Sequence, residues 1–218
     1  MTEDDPHALR SEVCHRAADW LAEVGHHLWV LGHWAKHEET HAVGVLTQMI
    51  GQLGQEAADA FDRRRWYAAN SLVRQIVECQ YFMAVFRDDP TQRVRWLEAS
   101  TNRIDKSFRP GQMREASGFR VSEYKQHCSW GGHPNPSASW LLPNHQDRRT
   151  EWLGALFADL ALHLTETIDI LVAVIGSLSF DPTPGLPSQE PLQETYERWR
   201  AEDPFSRRVT LPDSASNL

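Results

Sequence analysis

Residues 61 to 89, FDRRRWYAANSLVRQIVECQYFMAVFRDD, leave the chain little choice of fold. Placed on a helix at about 100° per residue, Ala69, Leu72, Val73, Ile76, Val77, Cys79, Met83, Ala84 and Phe86 cover most of the circumference. A helix apolar nearly all round is a central one, enclosed by other elements. A single polar stripe interrupts it, made of Tyr67, Asn70, Ser71, Arg74, Gln75 and Glu78, with Arg74 and Glu78 one turn apart. A charged pair is therefore expected to face inward. There it needs further partners, because desolvating two charges costs several kcal/mol that their attraction only partly offsets. On a solvated face the same pair would contribute only about 0.2–0.5 kcal/mol.

The flanking sequence supplies the other helices. Asp5 and Pro6 mark a helix start, and Leu9, Val13, Ala17, Trp20, Leu21, Val24, Leu28 and Leu31 recur at three- and four-residue steps to about Trp34. Gly25 and Gly32 lower helix propensity and predict a bend or a division there. A second helix is expected from Glu39 or Thr40 through Leu53, its end weakened by Gly51 and Gly54. After Asp89 and Pro90 comes a short basic segment. Residues 107 to 118 read as a connection with at most one helical turn, Phe119 to Trp130 as a further helix, and Gly131 to Pro136 as a turn-rich loop. Residues 137 to 147 read as irregular. Thr150 opens a long apolar-periodic helix through Leu178. With no period-2 pattern, the expectation is an all-α bundle of five or six helices over residues 1–180. A Pro-rich tail follows over 181–218, with one short helix near Leu192 to Trp199.

The formal charge of −8 opposes general affinity for nucleic acid, although basic residues gather in the central helix and just after it. Three cysteines, Cys14, Cys79 and Cys128, without paired spacing or a secretory leader, fit reduced thiols in a cytoplasm. No apolar window has the length of a membrane span. Nine tryptophans suit large anchors in a core or at a self-association surface, and a homo-oligomer is expected. There is no phosphate-cradling glycine loop and no nucleophile elbow, so neither ATP nor NAD is expected.

The stretch SLVRQIVECQYFMAVFRDDPTQRVRWLEAS, followed by EYKQHCSWGGHP, resembles a family of bacterial helical domains of unknown function. That family carries an Arg-x3-Glu signature on its central helix, and later a Tyr, a Ser and a His before small or proline residues. Arg74, Glu78, Tyr124, Ser129 and His133 are the matching positions, over about residues 60 to 135. The resemblance implies a polar cluster of Arg74, Glu78 and His133 in a binding or regulatory module.

Similar bundles are grouped with HEPN domains, whose ribonuclease members use an Arg-x4-6-His motif at a dimer cleft. Arg120 and His127 fit that spacing, as do Arg10 and His15. On this reading His127 moves the 2′-hydroxyl proton and Arg120 stabilises charge developing on phosphate, which makes RNA the partner. A different class of function comes from His37-Glu38-Glu39-Thr40-His41, an HExxH pattern. In zincins, which it resembles, the two histidines hold zinc and Glu38 would act as general base. A charged Glu39 at this place is atypical and no third ligand is marked. If one helix ran from Leu9 to His41, these histidines together with His15, His26 and His33 would form a polar stripe opposite the apolar face, on which a metal could bridge two or three of them.

Overall fold

The computed structural model describes residues 6–99, 106–132, 134–142 and 150–207. In them the chain is all-α, with eight α-helices and no strand. Helices α1 (Pro6–Ala35) and α2 (Glu38–Asp62) form an antiparallel hairpin, and α3 (Trp66–Asp88) follows it. Three short helices come next, α4 (Thr91–Leu97), α5 (Pro110–Ser117) and α6 (Val121–His127). A π-helical turn (Cys128–Gly132) continues α6, and a 3-10 turn covers Pro136–Leu141. The long α7 (Thr150–Gly176) and α8 (Glu190–Glu202) complete the order. The count exceeds five or six because the segment between α3 and α7 folds as several one- and two-turn helices. Pro110 at the start and left-handed Gly118 at the end delimit α5, where a connection with at most one helical turn was expected.

The α1–α2 hairpin reverses one sequence expectation. Gly25, Gly32, Gly51 and Gly54 neither bend nor end their helices; they let the two axes approach. A Cβ on Gly32 or Gly44 would stand 2.3 Å from the backbone nitrogen of His41 or Trp29, and one on Gly25 or Gly51 2.4 Å from that of Gln48 or Ala22. Propensity lost at each glycine is offset by backbone-to-backbone packing along the whole seam. The hairpin ends at Arg63–Arg65, where Arg64 adopts φ 56°, so the first residues of the 61–89 stretch belong to α2 and the turn.

Helix α3 is central, as its apolar circumference requires. Val73, Ile76, Val77, Tyr81, Met83 and Phe86 are wholly buried, and α2, α5, α7 and the π turn pack around it. Gly131 in that turn lies on α3 so closely that a Cβ would meet the Asn70 carbonyl carbon and Ser71 nitrogen at 2.5 Å. This contact fixes α6 against the bundle. On the opposite side α8 closes over α1 through a buried ion pair. The Arg10 guanidinium donates to both carboxylate oxygens of Asp203 at 2.6 and 2.7 Å, and the Trp199 indole N–H donates to the same group at 2.8 Å. No helix among the described residues is long and apolar enough to cross a membrane.

Candidate metal centre

Helices α3, α6 and α7 meet around two buried histidines. Glu123 and His127 are one turn apart on α6, and Asp159 and His163 repeat that spacing on α7. The four side chains therefore leave the two helices in matched pairs and face one another. His163 Nε2 lies 3.2 Å from His127 Nε2 and 3.7 Å from both Glu123 Oε1 and Asp159 Oδ1. The other nitrogen of His127, Nδ1, is 3.7 Å from Asp159 Oδ2. Ligand atoms of Glu123, His127 and His163 all fall within 4.8 Å of one another, the single such group of three among the described residues.

A second layer orients His163. The Gln80 side-chain amide donates to Glu166 at 3.2 Å, which turns its carbonyl oxygen toward His163 Nδ1 at 2.8 Å. Gln80 can only accept there, so a neutral His163 carries its proton on Nδ1 and presents the Nε2 lone pair to His127, Glu123 and Asp159. The two imidazole Nε2 atoms, which can share one proton at 3.2 Å, and a Glu123 carboxylate oxygen thus converge on one point, with Asp159 beside them. The 3.7 Å contacts are long for hydrogen bonds. They are near the edge of a tetrahedron: ligand atoms about 2.0–2.1 Å from a metal stand roughly 3.3–3.4 Å apart. Two imidazoles and a carboxylate are a donor set that suits zinc, ferrous iron, manganese or cobalt.

The site has a closed side and an open one. The rings of His127 and His163 are 3% and 2% exposed, whereas the side chains of Glu123 and Asp159 are 15% and 27% exposed. Tyr81 of α3 is wholly buried between Phe119 and Tyr124, with ring centroids 5.0 and 6.2 Å away. Its hydroxyl has no hydrogen-bond partner among the described residues. Burial, and after it the charge of Glu123, push its ionisation well above the usual tyrosine range, so it is a phenol and a donor.

Several residues singled out in the sequence lie around this centre. Arg74 and Glu78 do form their pair, at 2.8 Å and about one-fifth exposed, and the Tyr124 hydroxyl donates to Glu78 at 3.5 Å. Burial alone would lower the Arg74 pKa, but Tyr124 and Glu78 outweigh it and hold it above the usual value. Ser129 instead donates to the Lys125 carbonyl, and His133 lies outside the described residues. Arg120 is exposed at the N-cap of α6, one helix length from buried His127.

The HExxH segment is used elsewhere. His37 caps α2, with its ring nitrogens 2.8 Å from the Thr40 hydroxyl and 3.1 Å from that of Ser179. Glu38 is exposed, and the atypical Glu39 accepts from buried Arg93 at 3.1 Å. His41 packs against Trp29 and His33. No third ligand joins His37 and His41 among the described residues.

Glu123, Asp159, His163, Gln80 and Tyr81 escape the sequence reading. The repeated acid-x3-His spacing was a signal present in the sequence. It was hidden because Asp159 and His163 stand within the most regular apolar periodicity of the chain.

No protein family model, no curated protein and no solved structure matches this chain.

Proposed function

We propose that this protein binds a divalent first-row transition metal, zinc being the first to test, through His127, His163 and Glu123, with Asp159 beside them. The observation that carries the reading is the convergence of His163 Nε2, His127 Nε2 and a Glu123 carboxylate oxygen on one point, with Gln80 and Glu166 behind His163. His127 is the residue shared with the ribonuclease expectation. Its nitrogens face His163 and Asp159, which favours a ligand role over proton transfer paired with Arg120. The metal-dependent hydrolase expected on His37, Glu38 and His41 is a separate reading, on residues whose contacts lie with Thr40, Ser179, Trp29 and His33.

The test uses untagged protein stripped with a chelator and titrated with zinc by calorimetry and thermal melting. One equivalent should bind and raise Tm, because a ligand that prefers the native state stabilises it. His163→Ala and His127→Ala should each abolish that rise, while His37→Ala with His41→Ala should leave it intact. Failure of the wild-type protein to bind zinc, manganese, iron or cobalt would remove the proposal.

A further inference from the structure

The same acid-x3-His spacing on α6 and α7 brings two acids to the histidine pair, but not to the same place. Glu123 Oε1 faces His163 Nε2 at 3.7 Å, where His127 Nε2 also points. Ligand atoms of these three residues lie within 4.8 Å of one another, in a group that does not include Asp159. Asp159 turns instead to the other nitrogen of His127, with Oδ2 3.7 Å from Nδ1. Its Oδ1 stands 3.7 Å from His163 Nε2, at the flank of the group.

A neutral imidazole that gives Nε2 to a metal carries its proton on Nδ1. For His127 the oxygen on that side is Asp159 Oδ2, which has to close by less than about 1 Å to accept a hydrogen bond. His163 is backed in the same manner, its Nδ1 2.8 Å from the Gln80 carbonyl oxygen and Gln80 tied to Glu166. Each imidazole thus has an oxygen behind it, from a carboxylate for His127 and from an amide for His163. Glu123 and Asp159 make further contacts as well, so their roles follow from the nitrogen each one faces and not from a count of charge.

Resting on the metal reading above, we propose that the centre has three protein ligands, His127, His163 and Glu123, and that Asp159 is a positioning residue acting through His127. The fourth position of a tetrahedral ion then belongs to water, and a small anion can replace it. Four protein ligands close a structural site, whereas three and a water are the arrangement of reactive ones. Both carboxylates are partly exposed and both imidazoles are sealed, so the centre meets solvent on its carboxylate side.

Cobalt(II) separates the two roles, since its d–d absorption reports ligand set and coordination number. The metal-free protein is loaded with one equivalent of cobalt and titrated with azide. Wild type should show the band, and azide should change it saturably as it replaces water. Asp159→Ala should weaken cobalt binding about 10–100-fold, the effect of a lost outer partner, yet at saturating metal show the wild-type band and the same azide response. Asp159→Asn keeps an oxygen for the His127 N–H and should recover affinity to within about tenfold of wild type. Glu123→Gln alters a ligand and should change the band itself. Both Asp159 variants should melt close to wild type when metal-free, because the side chain is partly exposed.

Absence of any cobalt band in wild type overturns the metal reading and this one with it. A band that azide leaves unchanged, a band that Asp159→Ala alters at saturating metal, or a cobalt affinity that Asp159→Ala leaves untouched overturns this proposal alone.

Discussion

Two buried polar clusters join distant parts of this chain, and they are built differently. Between α1 and α8, Arg10 and Asp203 meet in a two-pronged pair at 2.6 and 2.7 Å. The indole of Trp199 and the Phe205 N–H fill the remaining carboxylate positions. Gly154 on α7 makes room for the guanidinium, since a Cβ there would stand 2.5 Å from it. Cation and anion are present in equal number. Between α6 and α7, two imidazoles and two carboxylates meet at 3.2 to 3.7 Å. Both clusters bury histidine, arginine or carboxylate groups; the first has the short, two-pronged contacts of a staple, whereas the contacts of the second are longer and involve His and carboxylate groups that the proposed metal would share.

The largest expected effect breaks the first cluster. Asp203→Ala strands Arg10 in the interior and should cost about 3–5 kcal/mol of stability, read by urea or thermal unfolding. Zinc affinity of the folded fraction should stay as in wild type, because Gly154 and His163 are separated by about 13 Å along α7. An equal loss of metal binding would show that the clusters are one unit. Acid sharpens the contrast. Burial would raise the Asp203 carboxyl pKa, but hydrogen bonds from Arg10, Phe205 and Trp199 bring it below the usual value. A depressed folded-state pKa adds stability that is fully present above about pH 3.9 and lost as pH falls through the lower folded value. Asp203→Asn should therefore flatten the acid limb of the stability curve, and an unchanged slope below about pH 4 would contradict the assignment.

The next two variants approach the second cluster from outside and inside. Gly131→Ala forces the π turn off α3 and should cost about 1–3 kcal/mol, as overpacking does. Because that turn continues α6 beyond His127, zinc affinity should fall as well, which calorimetry would read. Gln80→Leu keeps the volume and removes the acceptor that fixes the His163 proton. Affinity should drop about 10–100-fold, the usual effect of a lost outer-layer partner, with the helical fold intact by circular dichroism. An unchanged zinc affinity would mean that Gln80 serves packing alone.

How much of this was legible depended on whether burial and chemistry coincided. The apolar circumference of α3 identified a central helix, and its one polar stripe identified Arg74 and Glu78, because a departure from an apolar background is visible in sequence. In α7 the opposite happened: Asp159 and His163 fall in register with Leu156, Leu160 and Leu164, so periodicity absorbed them into the core face. His127 was noticed through its spacing from Arg120, yet its contacts come from another helix 36 residues away. The glycines of α1 and α2 misled for a related reason. Propensity treats each helix alone, and the gain from letting two backbones touch belongs to the pair.

The smallest expected effect decides whether Arg74 and Glu78 belong with the metal centre or only beside it. The pair is a single turn of one helix, with the cation first, which is the weaker order, and each partner is about one-fifth exposed. Glu78→Gln keeps the shape and a hydrogen-bonding oxygen for Tyr124 while removing the charge. Stability should change by less than about 1 kcal/mol, as partly solvated pairs generally show. If the pair only flanks the centre, zinc affinity should not move. A fall in zinc affinity would instead join Glu78 to Glu123 and Asp159, and the centre would extend onto α3.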